Sequence, residues 1–145
     1  MEKTDIYITQ GKDYCEMTRE LLEACDLASD IGNRKKRIGI KPNLAVAKPA
    51  SSGATTHPEV LRALLAYLKE KGFENLTVME SSWVGEDTGN AVRESGLLDV
   101  CREQGVPFHD TKRDRAVTVD GAGMELHVCD RALEVDYLIN MPVVK

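Results

Sequence analysis

The sequence predicts an α/β domain: an open, mainly parallel, Rossmann-like sheet with helices on both faces and a C-terminal β-hairpin. Three observations carry this. Between residues 5 and 109, apolar runs of strand length alternate with stretches of helical periodicity, the pattern of right-handed crossovers onto a parallel sheet. Beyond residue 110 the helical spacing gives way to two alternating runs joined by Asp120-Gly121-Ala122-Gly123, a hairpin signal in which glycines supply positive φ. The length of 145 residues suits one domain, taken as 1–145.

Residues 5–9 read as a first strand, with Ile6 and Ile8 on one face. A helix is predicted over 13–29, where Tyr14, Met17, Leu21, Ala24, Cys25 and Ala28 keep helical spacing. Asp13 is placed to cap it and Gly32 to stop it. The basic run 33–37 reads as a solvated loop in an acidic chain, rather than as an anion site. It leads into a strand over 37–41 that stops at Pro42. The loop 42–56 holds Pro42, Pro49, Ser51, Ser52 and Gly53; loops this long in a compact domain are functional or disordered.

A helix over 58–71 follows, with Val60, Leu61, Leu64, Leu65 and Leu68 as its buried stripe and Gly72 at its end. The next strand, 76–80, runs into the polar turn Ser81-Ser82. A helix starts near Asp87 or Thr88 and breaks at Gly96, and another covers 97–104. A strand over 106–109, the hairpin strands 116–119 and 124–128, and a last strand over 137–140 complete the reading.

A net charge of −5 and a pI near 5.2 argue against nucleic-acid or membrane-surface partners, which need a positive field. Aromatic residues make up only 5%, too few for a base-stacking platform. No apolar stretch approaches membrane-span length, and residues 1–10 lack a basic region followed by an apolar run. The expectation is a cytoplasmic protein. Its cysteines, Cys15, Cys25, Cys101 and Cys129, are too widely spaced for zinc knuckles or ferredoxin-type clusters, so free reduced thiols are expected. Cys25 and Cys101 fall on apolar helix faces, where Cys acts as a small hydrophobe.

Ligands of open α/β sheets bind beyond the carboxyl ends of the strands. Polar residues gather there: Lys41 and Asn43, then Glu80, Ser81 and Ser82, then His109 and Asp110, then Asn140 and Lys145. Thr55-Thr56-His57 enters the next helix on the same rim. Thr56-His57-Pro58-Glu59 has two readings. It fits a capping box with Thr56 at the N-cap and Glu59 at N3. A helix start carrying hydroxyls is also an anion site, to which Lys41 would add a point charge.

His57 is the best general acid–base candidate, against the alternative of a solvated helix-start residue. His127 reads as a surface strand residue and His109 as structural. Glu80 could act as a base or a metal ligand, but no spacing demands a metal site and none is predicted. Trp83 reads as a lid or as a loop anchor. No G-x-G-x-x-G, Walker-type or G-x-S-x-G motif occurs, which weakens dinucleotide, P-loop and hydrolase readings.

Ile40-Lys41-Pro42-Asn43-Leu44, Gly53-Ala54-Thr55-Thr56-His57-Pro58-Glu59-Val60, Glu80-Ser81-Ser82 and Ile139-Asn140-Met141-Pro142-Val143-Val144-Lys145 together resemble the prokaryotic family called domain of unknown function 362. The order and spacing match over nearly the whole chain from Arg37. The resemblance implies that the chain is an N-terminal portion of a longer domain. Many members carry ferredoxin-like cysteine motifs and are labelled iron–sulfur proteins. Those motifs are missing here, so no iron–sulfur cluster is expected within this segment. The family has no generally established reaction, and the cofactor stays unknown.

The family's Lys-Pro-Asn element falls on Lys41, Pro42 and Asn43, and its Thr-Thr-His-Pro element on Thr55, Thr56, His57 and Pro58. Its acidic-Ser element falls on Glu80 and Ser81, with Glu where Asp is commoner.

The functional expectation is a domain that binds a small anionic molecule, a phosphate or a carboxylate, at the strand ends. Lys41, Asn43, Thr55, Thr56, Ser81, Asn140 and Lys145 would hold the ligand. His57 and Glu80 would be the catalytic pair, His57 transferring protons. One alternative is a redox accessory module beside an iron–sulfur partner; another is a structural or assembly domain without chemistry. An open sheet edge would favour self-association into a homo-oligomer.

Overall fold

A computed structural model describes residues 5–144. In chain order the elements are α1 (Tyr14–Ala24), α2 (Leu27–Ile31), β1 (Ile38–Pro42), α3 (Pro58–Glu70), β2 (Leu76–Glu80), α4 (Thr88–Glu94) and α5 (Leu97–Glu103). There follow β3 (Phe108–Asp110), β4 (Ala116–Gly121), β5 (Met124–Cys129), α6 (Asp130–Leu133) and β6 (Tyr137–Met141). Four strands form one parallel sheet in the order β3-β2-β1-β6, and β4 and β5 pair separately as an antiparallel hairpin. Among the described residues, no helix is long and apolar enough to cross a membrane.

Strand alternation divides the sheet into two unequal faces. On one, Ile38, Ile40, Leu76 and Val78 join a core with Leu22, Leu27 and Ile31 of α1 and α2, Leu61, Leu64, Leu65 and Leu68 of α3, and Ala91, Val92, Leu97 and Val100 of α4 and α5. Tyr67 is fully buried, and its hydroxyl is satisfied by the Ala28 amide and the Leu22 carbonyl. Cys101 lies in the same core, where burial pushes its thiol up to about 11.

The other face is thinly covered. Val135, just past α6, presses onto Gly39, where a Cβ would stand 3.0 Å from both Val135 Cγ1 and Met79 Cε. Leu138 stays half-exposed on that side.

Local chemistry sets the element ends. Asp13 caps α1 by accepting from the Glu16 amide at 2.9 Å, as its position predicts. The hairpin turn puts its positive φ on Ala122 and Gly123, while Gly121 stays in strand.

Two expectations need correction. The helix predicted over 13–29 is two helices, because Asp26 adopts the left-handed region at φ 47° and interrupts the helical backbone before α2. Asp tolerates that conformation better than most residues. The strand predicted over 5–9 does not form: Ile6 is 85% and Ile8 87% exposed. Alternation reports side-chain direction and not pairing, and the sheet is built from β3, β2, β1 and β6 alone.

Candidate functional site

The chain lays β1, β2 and β3 in succession, then returns to place β6 on the far side of β1. The strand order therefore reverses between β1 and β6, the position where doubly wound sheets open a crevice. Lys41 and Pro42 lie opposite Asn140 and Met141 there.

The loop leaving β1 folds back on itself. The Asn43 amide donates to Thr56 Oγ1 at 2.8 Å, and the Thr56 amide donates to the Asn43 carbonyl at 2.9 Å. Asn43 Nδ2 donates to the Ala54 carbonyl at 2.6 Å, and Leu44 bridges to Thr55. Thr56 Oγ1 also donates to the Met141 carbonyl at 2.8 Å. Thr56 is buried and joins the ends of β1 and β6, so the capping-box reading is corrected: His57 is the N-cap of α3, without a side-chain cap bond.

The start of α3 is a poorer anion site than its hydroxyls suggest. Pro58 has no N–H, the Val60 and Leu61 amides turn back to the His57 carbonyl, and Glu59 puts its own carboxylate in the first turn.

Beside this junction lies a cavity of about 550 Å³. Leu21, Leu22, Val60, Leu64, Ile139 and Val143 give it apolar walls, and Thr55, Thr56, His57 and Asn140 also line it. Tyr14 and Leu21, which the helical spacing puts on a core face, front this space. The Tyr14 ring stacks on His57 with centroids 4.1 Å apart and planes 22° from parallel. His57 Nδ1 is in close contact with Glu59 Oε2. Both atoms are buried, and neither makes an aligned hydrogen bond. Thr55 Oγ1 is buried and has no hydrogen-bond partner among the described residues.

Lys41, Glu80 and Ser81 form a separate group. Lys41 Nζ donates to Glu80 Oε2 at 2.6 Å, with Lys41 46% and Glu80 12% exposed, and the Ser81 amide donates to Glu80 Oε1 at 2.9 Å. None of the three lines the cavity. The residues expected to form one rim cluster thus divide: Thr55, Thr56, His57 and Asn140 at the cavity, Lys41, Glu80 and Ser81 beside it, and Asn43 bracing the loop between. Lys145 lies outside the described residues.

The loop after β2 is held from outside. The Lys112 ammonium donates to Ser82 Oγ at 2.8 Å, the Trp83 carbonyl at 2.8 Å and the Glu86 carbonyl at 2.6 Å. The Trp83 ring folds over Gly85 and is not part of the cavity wall. Sequence reasoning missed Lys112 and the role of Tyr14 because each acts through a contact with no local spacing signal, and it assigned Glu59 to a capping box where the carboxylate instead meets His57. Among the described residues, no group of three or more His, Cys, Asp or Glu side chains is placed to share a metal ion.

A family model described as Domain of unknown function (DUF362) matches residues 38–145. No curated protein and no solved structure matches the chain.

Proposed function

The chain belongs to the family of the domain of unknown function 362, and from that premise we propose that it binds a small amphiphilic acid in the cavity lined by α1, the start of α3 and the end of β6. The ligand is a carboxylate or phosphate monoester with a short apolar body. The observation that carries this is the cavity's composition: aliphatic walls meet one buried, unpartnered hydroxyl, Thr55 Oγ1, and one histidine braced by a carboxylate. Ligand pockets are commonly apolar spaces of this size with a few fixed polar groups.

In this reading the aliphatic body displaces water against Leu21, Val60, Leu64 and Ile139. The Thr55 hydroxyl donates to a ligand oxygen. His57 Nε2 exchanges a proton with the bound molecule, and Glu59 and the Tyr14 ring hold the imidazole in place. The Lys41–Glu80 pair balances its own charge and contributes only at the rim.

The test is the melting temperature of the chain titrated with acetate, hexanoate and hexyl phosphate. A ligand that binds only the native state raises it in a saturable way. The proposal expects hexanoate or hexyl phosphate to stabilise more than acetate. Failure of all three to raise the melting temperature would overturn it.

A further inference from the structure

A second histidine–carboxylate pair stands at the end of β3. His109 Nε2 is in close contact with Asp114 Oδ1, and Asp114 is only 6% exposed. The other carboxylate oxygen, Asp114 Oδ2, is buried and has no hydrogen-bond partner among the described residues. A carboxylate fixed against one ring nitrogen holds the proton there, which leaves Nδ1 of His109 as an acceptor. Nδ1 has no partner among the described residues.

His109 lines a cavity of about 550 Å³, separate from the one that His57 lines. Charges of both signs front it. Arg93 and Arg113 bring guanidinium groups, and Asp87 and Asp110 bring carboxylates. Arg93 Nη2 donates to Asn90 Oδ1 and Arg113 Nε lies 3.6 Å from Asp110 Oδ2, so each guanidinium keeps its other N–H groups for a ligand. Each carboxylate is partly engaged: Asp87 Oδ1 accepts from the Asn90 amide at 2.7 Å and Asp110 Oδ1 from the Lys112 amide at 3.1 Å. Val92, Leu98 and Phe108 supply an apolar side.

This donor set does not suit a fully deprotonated anion, which would meet two carboxylates and a nitrogen lone pair. It suits an oxyanion that also carries an acidic O–H. We propose that the His109 cavity binds a protonated phosphate. The bare phosphate oxygens accept from Arg93 and Arg113, while the P–OH donates to His109 Nδ1 or to a carboxylate. Asp114 is a positioning residue that fixes the ring. The free hydrogen-phosphate ion has this chemistry, and so does the monoanion of a phosphate monoester, whose remaining O–H is lost above a second pKa of about 6.

The experiment follows the imidazole resonances of the three histidines by NMR in the whole chain, titrated near pH 6.5 with inorganic phosphate, phenyl phosphate and sulfate. Sulfate matches phosphate in shape and carries at least as much negative charge, but it has no proton. The expected result is a saturable shift at His109 with phosphate, at least tenfold weaker with sulfate, and weakened fivefold or more by Arg113→Ala. The Arg113 side chain is largely exposed, so that variant should fold. Tighter binding of phenyl phosphate assigns the site to an ester, and tighter binding of inorganic phosphate to the free ion. In Asp114→Asn the nitrogen shifts of His109 should report loss of the single tautomer, which a purely structural role would not alter. No saturable shift at His109, or sulfate binding as tightly as phosphate, overturns the proposal. Neither outcome bears on His57.

Discussion

Thr56 and Met141, 85 residues apart in sequence, are joined by a 2.8 Å hydrogen bond from the Thr56 hydroxyl to the Met141 carbonyl. The same oxygen accepts from the Asn43 amide at 2.8 Å. One buried hydroxyl thus ties the ends of β1 and β6 together at the point where the strand order reverses. Thr56→Val keeps the shape and removes both bonds, leaving a donor and an acceptor unsatisfied. The expected loss is about 1–3 kcal/mol in urea denaturation, with Thr56→Ser recovering most of it. A neutral Thr56→Val would show that the strand ends hold without this tie.

The parallel sheet is legible in the sequence where its strands carry apolar residues: β2 is read correctly at both ends, Leu76–Glu80, whereas β3, Phe108–Asp110, is mostly polar and lies later than the predicted 106–109. Residues 5–9 alternate just as well, yet alternation reports only side-chain direction, and pairing depends on which distant strand occupies the neighbouring lane. Thr56 shows the same limit for the site. Its place before Pro58 fits a cap, but the Asn43 amide takes the hydroxyl oxygen as its acceptor while the hydroxyl proton goes to a carbonyl on β6. His57 is legible as a polar residue at a loop–helix junction. Its stacking on Tyr14 is not, because α1 and α3 meet only in the folded chain.

Tyr137 predicts alkaline lability. Its hydroxyl donates to Asp30 Oδ2 at 2.5 Å, and burial, followed by that carboxylate, pushes the phenol from 10.0 up to about 12. The native state therefore keeps its proton while the unfolded chain releases it. Stability from this group is intact below pH 10 and falls as pH rises from about 10 toward 12. Tyr137→Phe should flatten that decline in denaturation midpoints measured from pH 9 to 11. An unchanged slope would contradict the assignment.

Asp136 predicts the acid side. The Arg37 guanidinium, and then the Arg37 amide, hold its carboxyl down at about 2 from a usual 3.8. Here the unfolded chain takes up the proton first. The contribution is complete above pH 3.8 and is lost as pH falls through about 2. Asp136→Asn should move the acid-unfolding midpoint, followed by circular dichroism, to higher pH. The pair is exposed, so the shift should be small and should shrink in high salt.

Gly39 predicts a packing limit on the thin face of the sheet. A side chain there meets Met79, Val135 and Leu138. Gly39→Val should cost about 1–3 kcal/mol by overpacking. Val135→Ala in the same chain should recover part of it, so a double-mutant cycle should give a coupling above about 0.5 kcal/mol. Strict additivity would mean that the two residues do not compete for the same space.

The central claim, that the cavity lined by α1, α3 and the end of β6 is a ligand site, is tested most directly by calorimetric titration with straight-chain carboxylates from acetate to octanoate. The chain should bind each longer homologue about fourfold more tightly until the cavity is full, from roughly 0.8 kcal/mol per buried methylene. Val60→Trp, which fills the cavity from its wall, should abolish that dependence while the protein stays folded. Affinity that ignores chain length, or binding unchanged in Val60→Trp, would contradict the account.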